Sequence, residues 1–326
     1  MKRTLIILSI LLLSVSCRTK SEIYEDILSG AKNAVCWMTP LPDDTPLCRM
    51  SIPGAHDAGT GTITTLTLWT KTQELGIADL WNCGVRAFDL RPAFKDGRMS
   101  IYHDKYNANV SFLSVVNGLV AALNTHPGET AIIIIRHEEE ADENNPQWST
   151  EMEAFLSSLR SRIIPYRSDL TLGEMRGKLL VLSRSTYRNG PLGGYIKGWT
   201  SSGDISAQKG VTIVDEDGAE SPLWVQDFYN PKGADDKWKQ VQGMLDATAS
   251  ASVPYPLVIN HTSGYIGDLP DYRTNARNIN AKAAEYIADK GTPAGIVMMD
   301  FAGVDRSGGK AVGGQTLLLT LIENNH

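Results

Sequence analysis

Ala131-Ile132-Ile133-Ile134-Ile135-Arg136-His137-Glu138 is the stretch that decides the architecture. An unbroken β-branched run suits a strand covered on both faces, as in parallel sheets flanked by helices. The run then breaks into ionisable residues. On its N-terminal side, residues 112–124 repeat apolar side chains at helical spacing and stop just before Pro127-Gly128, an ordinary terminator. A buried strand that ends in charge, with a helix before it, is one unit of an α/β alternation.

Outward from this unit the pattern recurs. Eight short apolar runs are present, at 50–53, 85–90, 99–102, 131–135, 179–182, 223–225, 257–259 and 296–299. Helical-period stretches fall at 72–82, 112–124, 149–162, 235–249 and 275–289. Eight strands with interleaved helices predict an α/β fold, a single distorted (β/α)8 barrel of TIM type. The connection from Arg91 to Met99 is too short for a helix, so the barrel is expected to be irregular; a doubly wound open sheet is the alternative. Residues 185–222, rich in Gly, Ser and Pro, read as long loops over one mouth of the barrel.

The chain has 326 residues, within the reach of one barrel domain spanning 48–326. With 42% hydrophobic and 21% charged residues it is neither disordered nor polytopic. A formal net charge of −6 argues against a nucleic-acid partner, which demands phosphate neutralisation, and offers no polybasic surface to a membrane. Lys2 and Arg3, the apolar run 5–13 and the small residues 14–16 form a signal peptide over 1–16. Cys17 follows directly, as at a lipoprotein processing site, although Ser14 stands where a leucine is usual; an ordinary signal peptide with a chance cysteine is the other reading. Residues 17–47 become a lipidated tether and lead-in. The expectation is an exported protein, anchored to the cell envelope or secreted. Of the remaining cysteines, Cys36 and Cys48 are the better candidates for a bridge, and Cys83 reads as a buried thiol.

The strand ends carry the chemistry. They read Gly54-Ala55-His56-Asp57, Asp89-Leu90-Arg91, His103-Asp104, Arg136-His137-Glu138, Ser183-Arg184, Gln226-Asp227-Phe228-Tyr229, Asn260-His261-Thr262 and Asp300. A parallel barrel brings such ends to one face, where its enzymes place their catalysts. Any single polar strand end is ordinary solvation, and a lone histidine is more often structural. Histidines, arginines and aspartates gathered on one rim make a reaction centre the better reading.

Ser51-Ile52-Pro53-Gly54-Ala55-His56-Asp57-Ala58-Gly59-Thr60 closely resembles the bacterial phosphatidylinositol-specific phospholipase C family. So do Phe88-Asp89-Leu90-Arg91, Tyr102-His103, Gly128-Glu129-Thr130, Arg176-Gly177-Lys178, Val225-Gln226-Asp227-Phe228-Tyr229 and Met299-Asp300, in the family's order over most of 48–320. The resemblance implies an incompletely closed (β/α)8 barrel. It implies His56 as general base, His103 as general acid, Arg91 on the phosphate, Asp300 as the partner of His56 and Asp57 as an aid to the acid. Arg184, Asp227 and Tyr229 match positions that hold the inositol ring, Asp89 matches a polar position beneath the phosphate, and Arg136 replaces the usual lysine. The chain departs from the family at Arg91-Pro92-Ala93, where Arg-Gly-Arg is usual, and at His103-Asp104, where His-Gly is usual; Asp104 adds negative charge beside the acid.

The implied reaction is metal-independent cleavage of phosphatidylinositol to diacylglycerol and inositol 1,2-cyclic phosphate. The substrate is an inositol phospholipid in a membrane surface, GPI-anchored forms included, and the enzyme acts as a monomer without a cofactor. Two other classes stay open: a calcium-dependent glycerophosphodiester phosphodiesterase, with Asp57, Asp89, Asp104 and Asp300 around the ion, and an inactive inositol-lipid binding module. Trp69 and Trp199 fall in predicted loops, where each either dips into a membrane interface or packs inward.

Overall fold

The computed structural model describes residues 34–187, 192–201, 210–267 and 270–326. The signal peptide, Cys17 and the tether up to residue 33 lie outside the described residues.

Ser51–Ala55 pairs in parallel with Ala87–Leu90 on one side and Gly295–Met299 on the other. Ala131–Ile135 continues beyond Ala87–Leu90 and pairs along its whole length with Leu179–Ser183. In the other direction Gly295–Met299 is followed by Leu257–His261 and Glu220–Gln226, again parallel. Thr212–Val214, antiparallel to both neighbours, and Gly194–Lys197 complete the ring back to Leu179–Ser183. The result is the expected TIM-type barrel, but with nine strands rather than eight and in a closed ring rather than an incompletely closed one. The strands Ser51–Ala55, Ala131–Ile135, Leu179–Ser183, Leu257–His261 and Gly295–Met299 are buried at every residue, as parallel strands under helices must be.

Two further expectations are corrected. The run 99–102 is no barrel strand. It lies in Arg98–His103, the centre of a three-stranded antiparallel sheet with Pro92–Lys95 and Tyr106–Ser111. The physical reason is the turn: Asp96 and Gly97, at φ 52 and 70, adopt the doubly left-handed pair that a two-residue hairpin demands, so no crossover helix is needed. The segment 185–222 is not wholly loop either. It supplies two barrel strands, Gly194–Lys197 and Thr212–Val214, which bury Ile196 and Ile213, and the first three residues of Glu220–Gln226. Their apolar signal is too sparse to stand out from the glycines and serines around them.

The lead-in is packed from Ala34 onward, with Trp37, Met38, Leu41 and Leu47 buried. It is fastened by a buried ion pair, Arg86 Nη2 to Glu129 Oε2 at 3.0 Å. Glu129 Oε1 also accepts from the Thr39 N–H and hydroxyl at 2.8 Å each, and Arg86 donates to the carbonyls of Trp81 and Val85. The expected Cys36–Cys48 bridge is absent: both thiols are free, and Cys36 Sγ lies 3.3 Å from His126 Nδ1 instead. Cys83 is a buried thiol as expected, and burial pushes it up to about 12.

Candidate active site

The C-terminal ends of the parallel strands meet at one mouth, and most of the charged side chains that follow them collect there. His56 follows Ser51–Ala55 and is only 7% exposed. Its Nδ1 lies 2.8 Å from Oδ1 of Asp300, which follows Gly295–Met299 in the adjacent strand. A carboxylate only accepts, so Nδ1 carries the proton and Nε2 faces the mouth. Asp300 is itself held: Gly264 N–H donates to its Oδ2 at 3.0 Å. Gly264 has φ +139, and a Cβ there would stand 2.5 Å from the Tyr229 carbonyl, so only glycine brings that N–H to the carboxylate. Gln73 locks the two strands together by donating to the carbonyls of His56 and Met299 at 2.7 and 2.9 Å.

Asp57 adopts a left-handed conformation, φ 44, unusual outside glycine but accessible to aspartate. The turn sets its carboxylate between two imidazoles. Oδ2 is 3.5 Å from His56 Nε2 and 3.5 Å from His103 Nε2, so the two nitrogens are at most about 7 Å apart. His103 arrives from the end of Arg98–His103, and its Nδ1 donates to the Thr70 carbonyl at 2.9 Å, which turns Nε2 toward Asp57. Tyr272 Oη stands 3.4 Å from the same Nε2. Arg91 lies beside this pair: Nη2 is 3.0 Å from His56 Nε2 and 3.0 Å from Asp89 Oδ2, and Nε is 2.5 Å from Asp57 Oδ1. A third acid, Glu138, lies 3.9 Å from Arg91 Nη1 and accepts from the Asp104 backbone N–H, while the Asp104 side chain is exposed.

Burial opposes a charge on His56, but Asp57 and Asp300 outweigh it and lift the ring to about 9. The Arg91 contact belongs to the neutral ring, because two N–H groups cannot donate to one another. Burial also opposes the Asp89 charge; Arg91 and the neighbouring histidines outweigh it and hold that carboxyl well below the usual range. Burial and then the Asp57 charge raise Glu138, against the pull of Arg91.

The expected ring-binding residues divide. Asp227 and Arg184 are brought together by Trp199, a residue for which the sequence left its role open. The indole Nε1 donates to Asp227 Oδ2 at 3.0 Å, and the Arg184 guanidinium stacks 3.9 Å over the ring. His261 closes the group, edge-on to both Trp199 and His56 at 5.7 Å; burial pushes it down to about 3, so it is neutral. Tyr229 stands at the rim, 37% exposed, at the head of an aromatic row through Tyr265 and Tyr272 to His103. Arg136 lines a polar cavity with Arg184 and Trp199. Trp199 was the hardest of these to anticipate, since its partners come from three separate strands.

His56, Asp57 and Asp89 offer the one group of side chains, among the described residues, close enough to share a metal ion. The donor set does not suit calcium, which takes six to eight oxygen ligands. One donor is an imidazole, and both carboxylates already lie against Arg91.

The chain is similar to the curated 1-phosphatidylinositol phosphodiesterases of Listeria monocytogenes, 29% identical over 83% of this chain and 83% of the relative, and of Staphylococcus aureus, 27% identical over 91% and 92%. No family model matches the chain. Its fold matches the solved phosphatidylinositol-specific phospholipase C of Listeria monocytogenes with a TM-score of 0.69 at 23% identity, covering 90% of this chain and 99% of that one. It also matches a mutant of the Staphylococcus aureus enzyme with a TM-score of 0.73 at 21% identity, covering 88% and 97%. In sequence the chain is similar to the bacterial 1-phosphatidylinositol phosphodiesterases, and in fold to the solved phosphatidylinositol-specific phospholipases C.

Proposed function

We propose that this protein is a phosphatidylinositol phospholipase C that releases diacylglycerol and inositol 1,2-cyclic phosphate by histidine acid-base catalysis. The observation that carries the mechanism is the shared carboxylate: two imidazole Nε2 atoms face Asp57 Oδ2 from 3.5 Å each, with a guanidinium alongside. The inositol 2-hydroxyl is tethered next to its own phosphodiester, so much of the entropic barrier is removed before the enzyme acts. Neutral His56 takes the hydroxyl proton on Nε2, and Asp300 stabilises the imidazolium that forms. The oxygen attacks phosphorus. Arg91 donates N–H groups to the charge that builds on the phosphoryl oxygens. The bond to the glycerol oxygen breaks, and His103 gives that oxygen its proton. His56 ends protonated and His103 neutral, and solvent resets both.

The membrane is met beside the acid. Leu66, Leu68 and Trp69, 48%, 47% and 42% exposed, crown the short helix Thr67–Thr70, and the carbonyl of Thr70 holds His103. Large apolar side chains exposed together mark an interaction surface. Trp69 therefore takes the interfacial role and Trp199 the inward one. Phosphatidylinositol is the substrate, and GPI-anchored forms share its headgroup. Export and anchoring through Cys17 belong to the same proposal: Cys17→Ser releases the protein from the membrane fraction, and unchanged fractionation refutes the anchor.

The test of class and mechanism is phosphorus NMR of phosphatidylinositol incubated with the protein in excess EDTA. A five-membered cyclic phosphate is expected from the native protein and none from His56→Ala. Activity that vanishes in EDTA and returns with calcium overturns the metal-free mechanism.

A further inference from the structure

Resting on the phospholipase reading, we propose that Lys237, which lies outside the reaction centre, is a positioning residue that holds Asp227 in place for the inositol ring. Lys237 belongs to the helix Ala234–Ala249 and is fully buried. A lysine is almost never fully buried, because its ammonium then gives up its water. Methionine or leucine would fill the same space without that cost. A side chain that weakens the fold in this way points to a task that an apolar one fails to perform.

Asp227 stands between Gln226 and Phe228, and the Lys237 ammonium grips both neighbours. Its Nζ donates to the Phe228 carbonyl at 2.8 Å and reaches Gln226 Oε1 at 3.5 Å. The Phe228 N–H donates to the same Gln226 oxygen at 2.7 Å, which fixes the backbone at Asp227. Gln226 is held in turn, since its Nε2 donates to Asn260 Oδ1 and to the His261 carbonyl at 2.8 Å each. Asn260 Nδ2 donates to the Val241 carbonyl at 3.0 Å, which returns the chain of bonds to the helix that carries Lys237. One helix thus clamps the ends of the strands Glu220–Gln226 and Leu257–His261, and the carboxylate at the centre of the clamp is the expected acceptor for the ring hydroxyls. The ammonium also feels the charges of Asp227 and Asp300. Lysine suits the task because it carries three donors on a stem long enough to cross from helix to strand end.

The experiment is steady-state cleavage of phosphatidylinositol by Lys237→Met, with competitive inhibition by free myo-inositol and unfolding in urea at pH 7. The variant is expected to raise KM and the inhibition constant of myo-inositol together by about tenfold, to keep kcat within about threefold, and to unfold at higher urea than the wild type. Lower stability with no separate rise in KM is the signature of a lysine that only supports the fold, and overturns the proposal. Gln226→Met leaves the amine but removes the oxygen that Lys237 and Phe228 share. It is expected to raise KM in the same direction, and it carries the test if Lys237→Met does not fold. Unchanged KM and unchanged inhibition by myo-inositol in a folded variant overturn the proposal. A fall in kcat alone ties Lys237 to Asp300 rather than to Asp227 and overturns it as well. None of these results touches the phospholipase reading, which fails only if the wild type leaves phosphatidylinositol uncut.

Discussion

Replacing Asp57 with asparagine tests the electrostatics of the reaction centre directly. Asp57 is one of two carboxylates that lift His56 to about 9, and its Oδ2 lies 3.5 Å from the Nε2 that must accept the proton. At that distance a unit-charge pair is worth about 5 kcal/mol at an effective dielectric of about 20, and about 1 kcal/mol at the value of bulk water. Since one pH unit corresponds to about 1.4 kcal/mol, Asp57→Asn should lower the His56 pKa by about 1 to 3.5 units. The sign follows from the charge: an imidazolium that loses an anionic neighbour gives up its proton more readily. The assay is kcat/KM for phosphatidylinositol in mixed micelles from pH 5 to 10, which reports the free enzyme. In the wild type the rate should climb with pH up to about 9, as the ring becomes able to accept a proton. In the variant the climb should end lower, even though its plateau falls because His103 has lost the same neighbour. An acid limb that stays in place, or moves upward, refutes the electrostatic reasoning.

His103→Ala should cost roughly 10²- to 10⁴-fold in kcat with the natural lipid, whose alkoxide leaves poorly, and far less with a phenolic leaving group that needs no proton; equal losses on both substrates would deny His103 the acid role. Glu129→Ala strands Arg86 in the core and should lower the unfolding free energy in urea by about 3 to 5 kcal/mol; a loss below about 1 kcal/mol would mean that water reaches the site. Burial pushes Lys237, held by the Phe228 carbonyl at 2.8 Å, down to about 7. With a depressed folded value its contribution to stability falls as the pH drops from about 10.5 toward 7, so Lys237→Met should gain most, relative to the wild type, at pH 7 and below, and least near pH 10; a gain that is flat with pH would contradict the buried amine.

The reaction centre was legible because parallel strands impose a simple rule. His56, Asp89, Arg91, Arg184, Asp227, His261 and Asp300 all follow or end barrel strands, and a polar break after each apolar run marks the mouth without knowledge of the contacts. His103 obeyed the rule for the wrong reason. It comes to the mouth on a hairpin whose Asp96-Gly97 turn was the sequence signal for an antiparallel excursion. The strands at Gly194–Lys197 and Thr212–Val214 were hidden because so few of their side chains enter the core. Trp199 was opaque for another reason. Its neighbours Arg184, Asp227 and His261 come from separate strands, and no local pattern records a contact that only the pairing of those strands creates. The free Cys36 and Cys48 show that nearness in sequence does not set nearness of thiols.

Asp57 sits evenly between two rings, and that evenness has a bearing on what becomes of the product. After the first half-reaction the proton has crossed from one imidazole to the other, and the carboxylate attracts it equally from either side. Asp300 adds its own attraction on the His56 side, so the carboxylates favour holding the transferred proton there. In that swapped state the acid has become a base poised over an incoming water, and the former base is ready to protonate the ring oxygen as the cycle opens. On the proposed mechanism, an anion placed between the two rings equips one pocket for cyclisation and ring-opening in succession, with the speed of the second set by how long the cyclic ester stays bound.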